Sequence, residues 1–180
     1  MRVLISTALT ILLFLPIATA PTHGQKTAAF RLLRDNQFFH ALSDHIEHAT
    51  SEIVVSVFLF KTQPDSYNRA NMILQDLINA QKRGVKVRVL LEKTGRRDDS
   101  LNRENLATSE RLRRHGVEVV FDSLDTTTHT KTIVIDRRFV FIGSHNLTHS
   151  ALFHNHELSV LIDDPGLAGE VIRYLKKLET

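Results

Sequence analysis

The chain has 180 residues, a length typical of about one domain. Hydrophobic residues make up 42% and charged residues 24%, which is the balance of a soluble globular protein rather than a disordered or fibrous one. The formal net charge of +3 is compatible with a polyanionic substrate but does not require one. Cysteine is absent, so disulfides and thiolate chemistry are excluded and the core alone must hold the fold.

The first twenty residues differ from the rest of the chain. A short positive end is followed by an apolar run over residues 3–15, and residues 18–20 (ATA) form the small-x-small pattern of a signal peptidase site. We therefore predict that residues 1–20 are a cleaved export signal and that the protein is periplasmic or secreted. The alternative is a membrane anchor, because the uncharged run 3–20 is just long enough to span a bilayer.

The chain from residue 26 onward has no internal repeat and no low-complexity linker, so residues 26–180 are predicted to form one domain. A short strand over residues 28–33 opens it. Asn36 is predicted to cap a helix, and residues 52–60 (EIVVSVFLF) to form a buried central strand because they are nearly all apolar and rich in β-branched side chains. The helix after Asn36 has four apolar residues at helical spacing, namely Phe39, Leu42, Ile46 and Ala49.

Helices and strands then alternate along the middle of the chain. Gly84 and Gly116 each follow a predicted helix, and glycine readily adopts the left-handed backbone conformation that often ends a helix. The alternation indicates an α/β sheet with helices on its faces. The predicted elements are a helix over residues 67–83, a strand over 85–91, a helix over 102–115 and a strand over 117–121.

The pattern changes in the last third of the chain. Strands over residues 131–136 and 139–143 are so close in sequence that they must form an antiparallel hairpin. A strand over 157–162 follows, and Asp164-Pro165 begins the final helix. The predicted fold class is therefore α/β, with a mixed, mostly parallel sheet flanked by helices on both faces.

The residues with the strongest chemical signal lie between positions 128 and 157. Side chains two apart on a strand share a face, so His129 and Lys131 point the same way, whereas Asp136 has the opposite parity. We therefore predict that His129 and Lys131 act together on the substrate, and that Asp136 has a structural role in the hairpin or a dimer contact. The motif residues are His129, Lys131, Asp136, Gly143, Ser144, Asn146 and Glu157.

Each of these residue types has a function in phosphoryl transfer. A histidine such as His129 can attack phosphorus or protonate a leaving oxygen, because its pKa lies near neutrality. Lys131 supplies positive charge for the phosphate oxygens, to which Ser144 and Asn146 can donate hydrogen bonds. Glu157 can accept a hydrogen bond from the second imidazole nitrogen and so fix the tautomer.

The pattern H-x-K-x4-D-x6-G-S-x-N resembles the signature of the phospholipase D superfamily, and the likeness extends over roughly residues 28–178. The resemblance implies an α/β/α sandwich and a phosphodiesterase that needs no metal and no cofactor. It also implies a phosphohistidine on His129, phosphate binding by Lys131 and Asn146, and support of His129 by Glu157. Such enzymes use two motif histidines and this chain has one motif, so a homodimer with a composite active site is implied.

Three functions are compatible with this resemblance. A short, exported, single-motif chain is most similar to the bacterial endonuclease branch, which predicts cleavage of DNA or RNA with little sequence specificity. A phospholipase D that hydrolyses phospholipid headgroups or cardiolipin is the alternative enzyme, and the membrane is a partner only if residues 3–20 stay uncleaved. A catalytically silent dimer that binds nucleic acid is the alternative from another class.

Two further groups of residues require interpretation. His145 lies between Ser144 and Asn146, so it is predicted to line the rim of the pocket. No carboxylate or cysteine spacing around the other histidines fits a known metal-ligand set, so no metal site is predicted. Basic groups of this kind more often form a solvated face than a binding patch. Four arginines do flank elements near the presumed site, so a groove for a phosphate backbone is the alternative interpretation; they are Arg96, Arg97, Arg137 and Arg138.

Overall fold

A seven-stranded sheet forms the centre of the molecule in the computed structural model, which describes residues 29–63, 67–95 and 99–179. The order of the strands across the sheet is β1-β7-β6-β5-β2-β3-β4. The strands are β1 (Ala29–Arg34), β2 (Glu52–Val57), β3 (Lys86–Leu91), β4 (Glu118–Phe121), β5 (Lys131–Ile135), β6 (Phe139–Gly143) and β7 (Leu158–Asp163).

Helices cover both faces of this sheet. One face packs against four helices, whose side chains share the larger apolar core with the sheet. The other face packs against the last helix, through Ala168 and Leu175 over Val54, Val134 and Val140. The helices are α1 (Gln37–Glu47), α2 (Arg69–Lys82), α3 (Ser100–Arg113), α4 (His149–Phe153) and, on the second face, α5 (Pro165–Lys176).

The mixed character of the sheet is confirmed, but the predicted parallel majority is not found, because most neighbouring pairs are antiparallel. β2 pairs in parallel with β3, and β3 with β4. The other pairs, from β1 through β7, β6 and β5 to β2, are antiparallel. Parallel strands therefore form one half of the sheet, and the hairpin and its neighbours form the other half.

Most local signals act as predicted. Gly84 and Gly116 have positive φ values of 95° and 81° after their helices. Asp164 accepts hydrogen bonds from the backbone amides of Gly166 and Leu167 at the start of α5. Asn36 does not act as predicted, because its side chain makes no capping hydrogen bond.

Two features differ from the sequence prediction in extent. The central strand ends at Val57 instead of residue 60, because the following backbone turns to the loop after β6, where Leu147 N donates to Leu59 O (3.1 Å). Helix α4 was missed, since five residues are too short to show a helical period. Its sequence signal is Thr148, whose hydroxyl caps the amide of Ala151 at 3.1 Å.

The predicted export signal, residues 1–20, lies outside the described residues. Within the parts of the chain that are described, no helix has both the length and the apolar character needed to cross a membrane.

Asp136 fastens the hairpin to the start of β2. Asp136 and Arg137 have positive φ values of 52° and 53°, which form a tight turn between β5 and β6 and aim the carboxylate back across the sheet. The carboxylate accepts hydrogen bonds from the amides of Thr50, Ser51 and Glu52 and from the hydroxyls of Thr50 and Ser51, at 2.8–3.2 Å. Burial raises the pKa of Asp136, but these hydrogen bonds outweigh it and leave the pKa below its usual value.

Replacing Asp136 with alanine should lower the free energy of unfolding by about 1–3 kcal/mol, because several donors lose a charged acceptor. Since the pKa is lowered in the folded protein, this stabilisation is present above pH 3.8 and is lost as the pH falls through the folded-state pKa. Urea denaturation at neutral and acidic pH measures both effects. The control is Asp125→Ala, which removes an exposed carboxylate; equal losses in the two variants would contradict the proposed role of Asp136.

Candidate active site

The predicted site residues meet at one edge of the sheet. β2, β3, β4 and β6 all end at this edge, whereas β5 and β7 begin there because they run in the opposite direction. Lys131 is therefore beside Val57, and Gly143 is beside Ser159. Asp136 lies at the opposite edge, bonded to residues 50–52.

His129 is exposed on the loop that leads into β5. Its ring packs edge-on against Phe58, with 4.6 Å between ring centroids. The imidazole makes no hydrogen bond to any described residue, so both ring nitrogens are available to a ligand or to a second protein chain. An open cleft of about 560 Å³ lies beside it, lined in part by Phe58, Leu101 and Leu124.

Lys131 lies on the same side as His129. Its ammonium nitrogen donates to the backbone oxygen of His129 at 3.0 Å and is 5.2 Å from the centre of the Phe58 ring. Partial burial lowers the pKa of Lys131, and the negative charge of Glu157 acts in the opposite direction. A cation that has already lost part of its water is well suited to bind a phosphate oxygen.

Ser144 and Glu157 are joined across the ends of β6 and β7. The hydroxyl of Ser144 donates to Oε2 of Glu157, and Asn155 Nδ2 donates to Oε1 at 3.1 Å. The backbone of Glu157 is bound to Asp35 in both directions, through Glu157 N to Asp35 Oδ1 (3.0 Å) and Asp35 N to Glu157 O (2.9 Å). The predicted hydrogen bond from His129 to Glu157 is not formed within this chain, where the Glu157 carboxylate accepts from Ser144 and Asn155.

Asn146 has unused hydrogen-bonding capacity. Its Oδ1 is buried without a partner among the described residues, and its amide nitrogen makes no described hydrogen bond. The neighbouring residue Leu147 is fixed in position. Its amide donates to Leu59 O, its backbone oxygen accepts from Lys61 N, and its side chain is in the core. Buried polar atoms normally have partners, so this amide is a candidate for ligand binding.

Gly143 is needed for a close approach of two strands. A Cβ atom at this position would overlap with the backbone of Leu158 and Ser159 on β7. The backbone of Gly143 does not have a positive φ, so a left-handed turn is not the reason for glycine here. The absence of a side chain lets β6 and β7 pack closely just before Ser144.

His145 is not at the pocket rim, where it was predicted. Its side chain is 2% exposed and stacks on Phe38 at 4.2 Å. One ring nitrogen bonds to the Ser159 hydroxyl (2.7 Å) and the other donates to the backbone oxygen of Asp35 (3.0 Å). Alternation along the chain explains this position, because His145 points into the core while Ser144 stays at the surface.

The groove suggested by the arginine positions is wrong for Arg137 and Arg138. Arg137 and Arg138 lie in the hairpin turn at the edge opposite the site, where they pair with Glu52 and Asp163. The sequence positions of these two arginines do not show on which edge of the sheet they lie. The direction of β5 decides which end of the hairpin is near the site. Arg96 and Arg97 lie outside the described residues. Among the described residues no cluster of three or more His, Asp or Glu side chains is arranged to hold a metal ion.

Sequence reasoning missed two features of this edge. Glu92 and Asp122, which follow β3 and β4, are both buried beside the loop that carries His129. On the α5 face, a row of exposed apolar side chains extends past the helix towards the site. We name this row the apolar strip, and it consists of Phe30, Leu32, Ile142 and Leu158, which are 44–77% exposed.

Comparison with known proteins identifies the class. The family model described as "Cardiolipin synthase, PLD-like domain" matches residues 42–179, so the chain belongs to this phospholipase D-like family. A protein named phospholipase D from Rickettsia felis is 39% identical over 97 residues, which are 54% of this chain and 46% of that protein. The chain thus matches a little under half the length of this relative.

Solved structures show the same fold. Nuc from Salmonella typhimurium, a phospholipase D family member, aligns with a TM-score of 0.71 and 23% identity over 84% of this chain and 93% of that chain. NucT from Helicobacter pylori aligns with a TM-score of 0.66 and 16% identity over 84% and 95% of the two chains. At these identities the likeness establishes the fold.

The buried His145 should make the protein sensitive to acid. Burial lowers the pKa of His145 below 6.5, so the folded protein favours the neutral ring and loses stability as the pH falls through 6.5 towards the folded-state pKa. In His145→Gln the free energy of unfolding should therefore depend less on pH in this range. Urea denaturation from pH 7 to pH 5 measures it, with the exposed His115→Gln as control. An unchanged slope in His145→Gln would contradict the assignment.

Proposed function

We propose that the protein is a metal-independent phosphodiesterase in which His129 attacks phosphorus. The supporting observation is that three groups with free binding capacity lie at one sheet edge. They are the exposed imidazole of His129, the half-buried ammonium of Lys131 and the unpartnered amide of Asn146. A nucleophile, a cation and an amide are the groups needed to attack a phosphodiester and to hold its oxygens.

The proposed reaction has two steps. A neutral nitrogen of His129 forms a bond to phosphorus as the bond from phosphorus to the leaving oxygen breaks, and a second histidine gives that oxygen a proton. Water then attacks phosphorus while the same second histidine takes a proton from it, and the phosphorus–nitrogen bond breaks. Lys131 offsets the negative charge that builds up on the phosphate oxygens in both steps.

The second histidine is proposed to be His129 of a second copy of this chain. No other histidine among the described residues shares a cleft with His129. The apolar strip supports a dimer, because Phe30 is 77% and Leu158 is 53% exposed, and Leu158 directly follows the site residue Glu157. A two-fold dimer built on this strip would cover apolar surface beside the site.

Nucleic acid is the proposed substrate. The site lies on an open edge of the sheet, where a long polymer can pass without entering a deep pocket. The fold likeness to Nuc extends over nearly the whole of both chains, so the same single-domain frame is present. Recognition would rest on the phosphate and not on the base, which predicts weak sequence preference.

Phospholipid is the second candidate substrate. Its support is that the Rickettsia felis relative is named phospholipase D, and that the apolar strip provides the kind of surface that could face a lipid headgroup region. We also propose export, on the basis of residues 1–20 alone.

Replacing His129 with alanine should lower phosphodiester hydrolysis on the order of a thousandfold or more, because the nucleophile is lost. The assay compares plasmid DNA, RNA and phosphatidylcholine vesicles in EDTA, with His115→Ala as the control for a remote exposed histidine. Hydrolysis of nucleic acid supports the first proposal and hydrolysis of lipid alone supports the second. Binding of nucleic acid without cleavage by the wild type would instead favour a silent binding dimer.

A composite site should show a mixing effect. When subunits exchange freely in an equal mixture of wild type and His129→Ala, only about a quarter of the dimers carry two wild-type chains. Activity per wild-type chain should then fall to about half. Sedimentation gives the oligomeric state, and Phe30→Glu should produce monomers without hydrolytic activity. Full activity per wild-type chain in the mixture, or an active monomer, would overturn the dimer proposal.

A further inference from the structure

Two buried carboxyl groups meet under the loop that carries His129. Glu92 follows β3 and Asp122 follows β4, and because these strands are parallel neighbours their ends lie side by side. The two side chains are 2% and 7% exposed. Both accept a hydrogen bond from one donor, the backbone amide of Thr128, at 2.6 Å to Glu92 and 3.0 Å to Asp122.

A shared proton makes this arrangement stable. Two ionised carboxylates in contact repel each other strongly in a buried place, whereas a protonated Glu92 can donate to Asp122. The other Asp122 oxygen accepts from the amide of Lys93 at 3.1 Å, which holds the Asp122 side chain in place. Burial, followed by the hydrogen bond to Asp122, raises the pKa of Glu92 to about 7, and the Thr128 amide acts in the opposite direction.

Thr128, whose amide donates to both carboxyl groups, directly precedes His129. The His129 ring has only an edge contact with Phe58 and no described hydrogen bond of its own. Its position must therefore come from the backbone on either side. The amide of Thr128 fixes one side, and the backbone oxygen of Thr130, which accepts from Phe58 N at 3.0 Å, fixes the other.

We propose that Glu92 and Asp122 are positioning residues, which hold one proton between them and fix the Thr128 amide so that His129 faces the substrate. The proposal deepens the proposed phosphodiesterase function and rests on it. When the pair loses its proton, two negative charges compete for one amide, and the loop that carries His129 loosens. Activity should therefore fall on the alkaline side as the carboxyl pair loses its proton.

Among the described residues, the side chains around the pair offer no other hydrogen-bond partner for the Glu92 carboxyl group. Asn105 binds the backbone oxygen of Glu92 at 2.9 Å and leaves its carboxyl group to Asp122 and Thr128. Burial and Asp122 account for the raised pKa of Glu92, and the hydrogen bond from the Thr128 amide opposes them. The other titratable side chains that line the clefts on either side of the pair are His129, Asp99, Tyr174 and Lys177.

The variant Glu92→Gln tests the role of the proton. Glutamine can donate to Asp122 and accept from Thr128 as the protonated glutamate does, but it cannot lose the proton. Activity near pH 6 should be retained within about twofold, and the alkaline fall in kcat should move upward by about one pH unit or more, with little change in KM. Glu118→Gln is the matched control, because Glu118 begins β4 at the end opposite to the one that Asp122 follows.

A second measurement does not depend on activity. In wild-type protein the amide proton of Thr128 should shift in the NMR spectrum with an apparent pKa near 7, and this transition should be absent in Glu92→Gln. Because the pKa of Glu92 is raised in the folded protein, the contribution of Glu92 to stability is fully present below pH 4.5 and is lost as the pH rises through 7. Glu92→Gln should consequently be more stable than wild type at pH 8.

The outcomes separate the two proposals. A Thr128 transition that is missing in wild type, or that persists in Glu92→Gln, overturns the carboxyl pair. A transition that disappears while the pH profile of kcat stays the same shows that the pair does not position His129, and also overturns the inference. If the wild type hydrolyses no phosphodiester, the proposed function fails, and the inference is then decided by whether the imidazole resonances of His129 follow the Thr128 transition.

Discussion

The antiparallel pairing of β2 with β5 is the constraint on which the site depends. It reverses the direction of the chain in the middle of the sheet, so the start of β5 lies beside the ends of β2, β3 and β4. Without this reversal Lys131 would lie at the other edge, away from Phe58. Asp136 secures the register, because its bonds to residues 50–52 tie the far end of β5 to the start of β2.

The two edges of the sheet differ in how fully their polar groups are bonded. At one edge Asp136 accepts from three backbone amides and two hydroxyls, and Arg138 is paired with Asp163. At the other edge the imidazole of His129 and the amide of Asn146 have no described partner. Binding capacity is thus left on these two side chains, where the strand ends converge.

Much of this arrangement follows from local sequence signals, but contacts between distant segments do not. Apolar runs, helix-end glycines and the Asp164 cap predict the elements, and two-residue alternation puts His129 and Lys131 together. Alternation within a short loop does not show depth, so the burial of His145 under Phe38 was missed. The pairing of Glu92 with Asp122 depends on β3 and β4 being neighbours, which a single sequence does not establish.

The reciprocal bonds between Asp35 and Glu157 carry a consequence for synthesis of the chain. These residues are 122 positions apart, and His145 also donates to the backbone oxygen of Asp35. The site is therefore complete only after the end of β1 has met the start of β7, and contacts of such long range form late in folding. A nascent chain that has only emerged up to Asn146 contains His129 and Lys131 but not the carboxylate that orients Ser144. The side chains of the site therefore reach their bonded arrangement only after synthesis has passed Glu157.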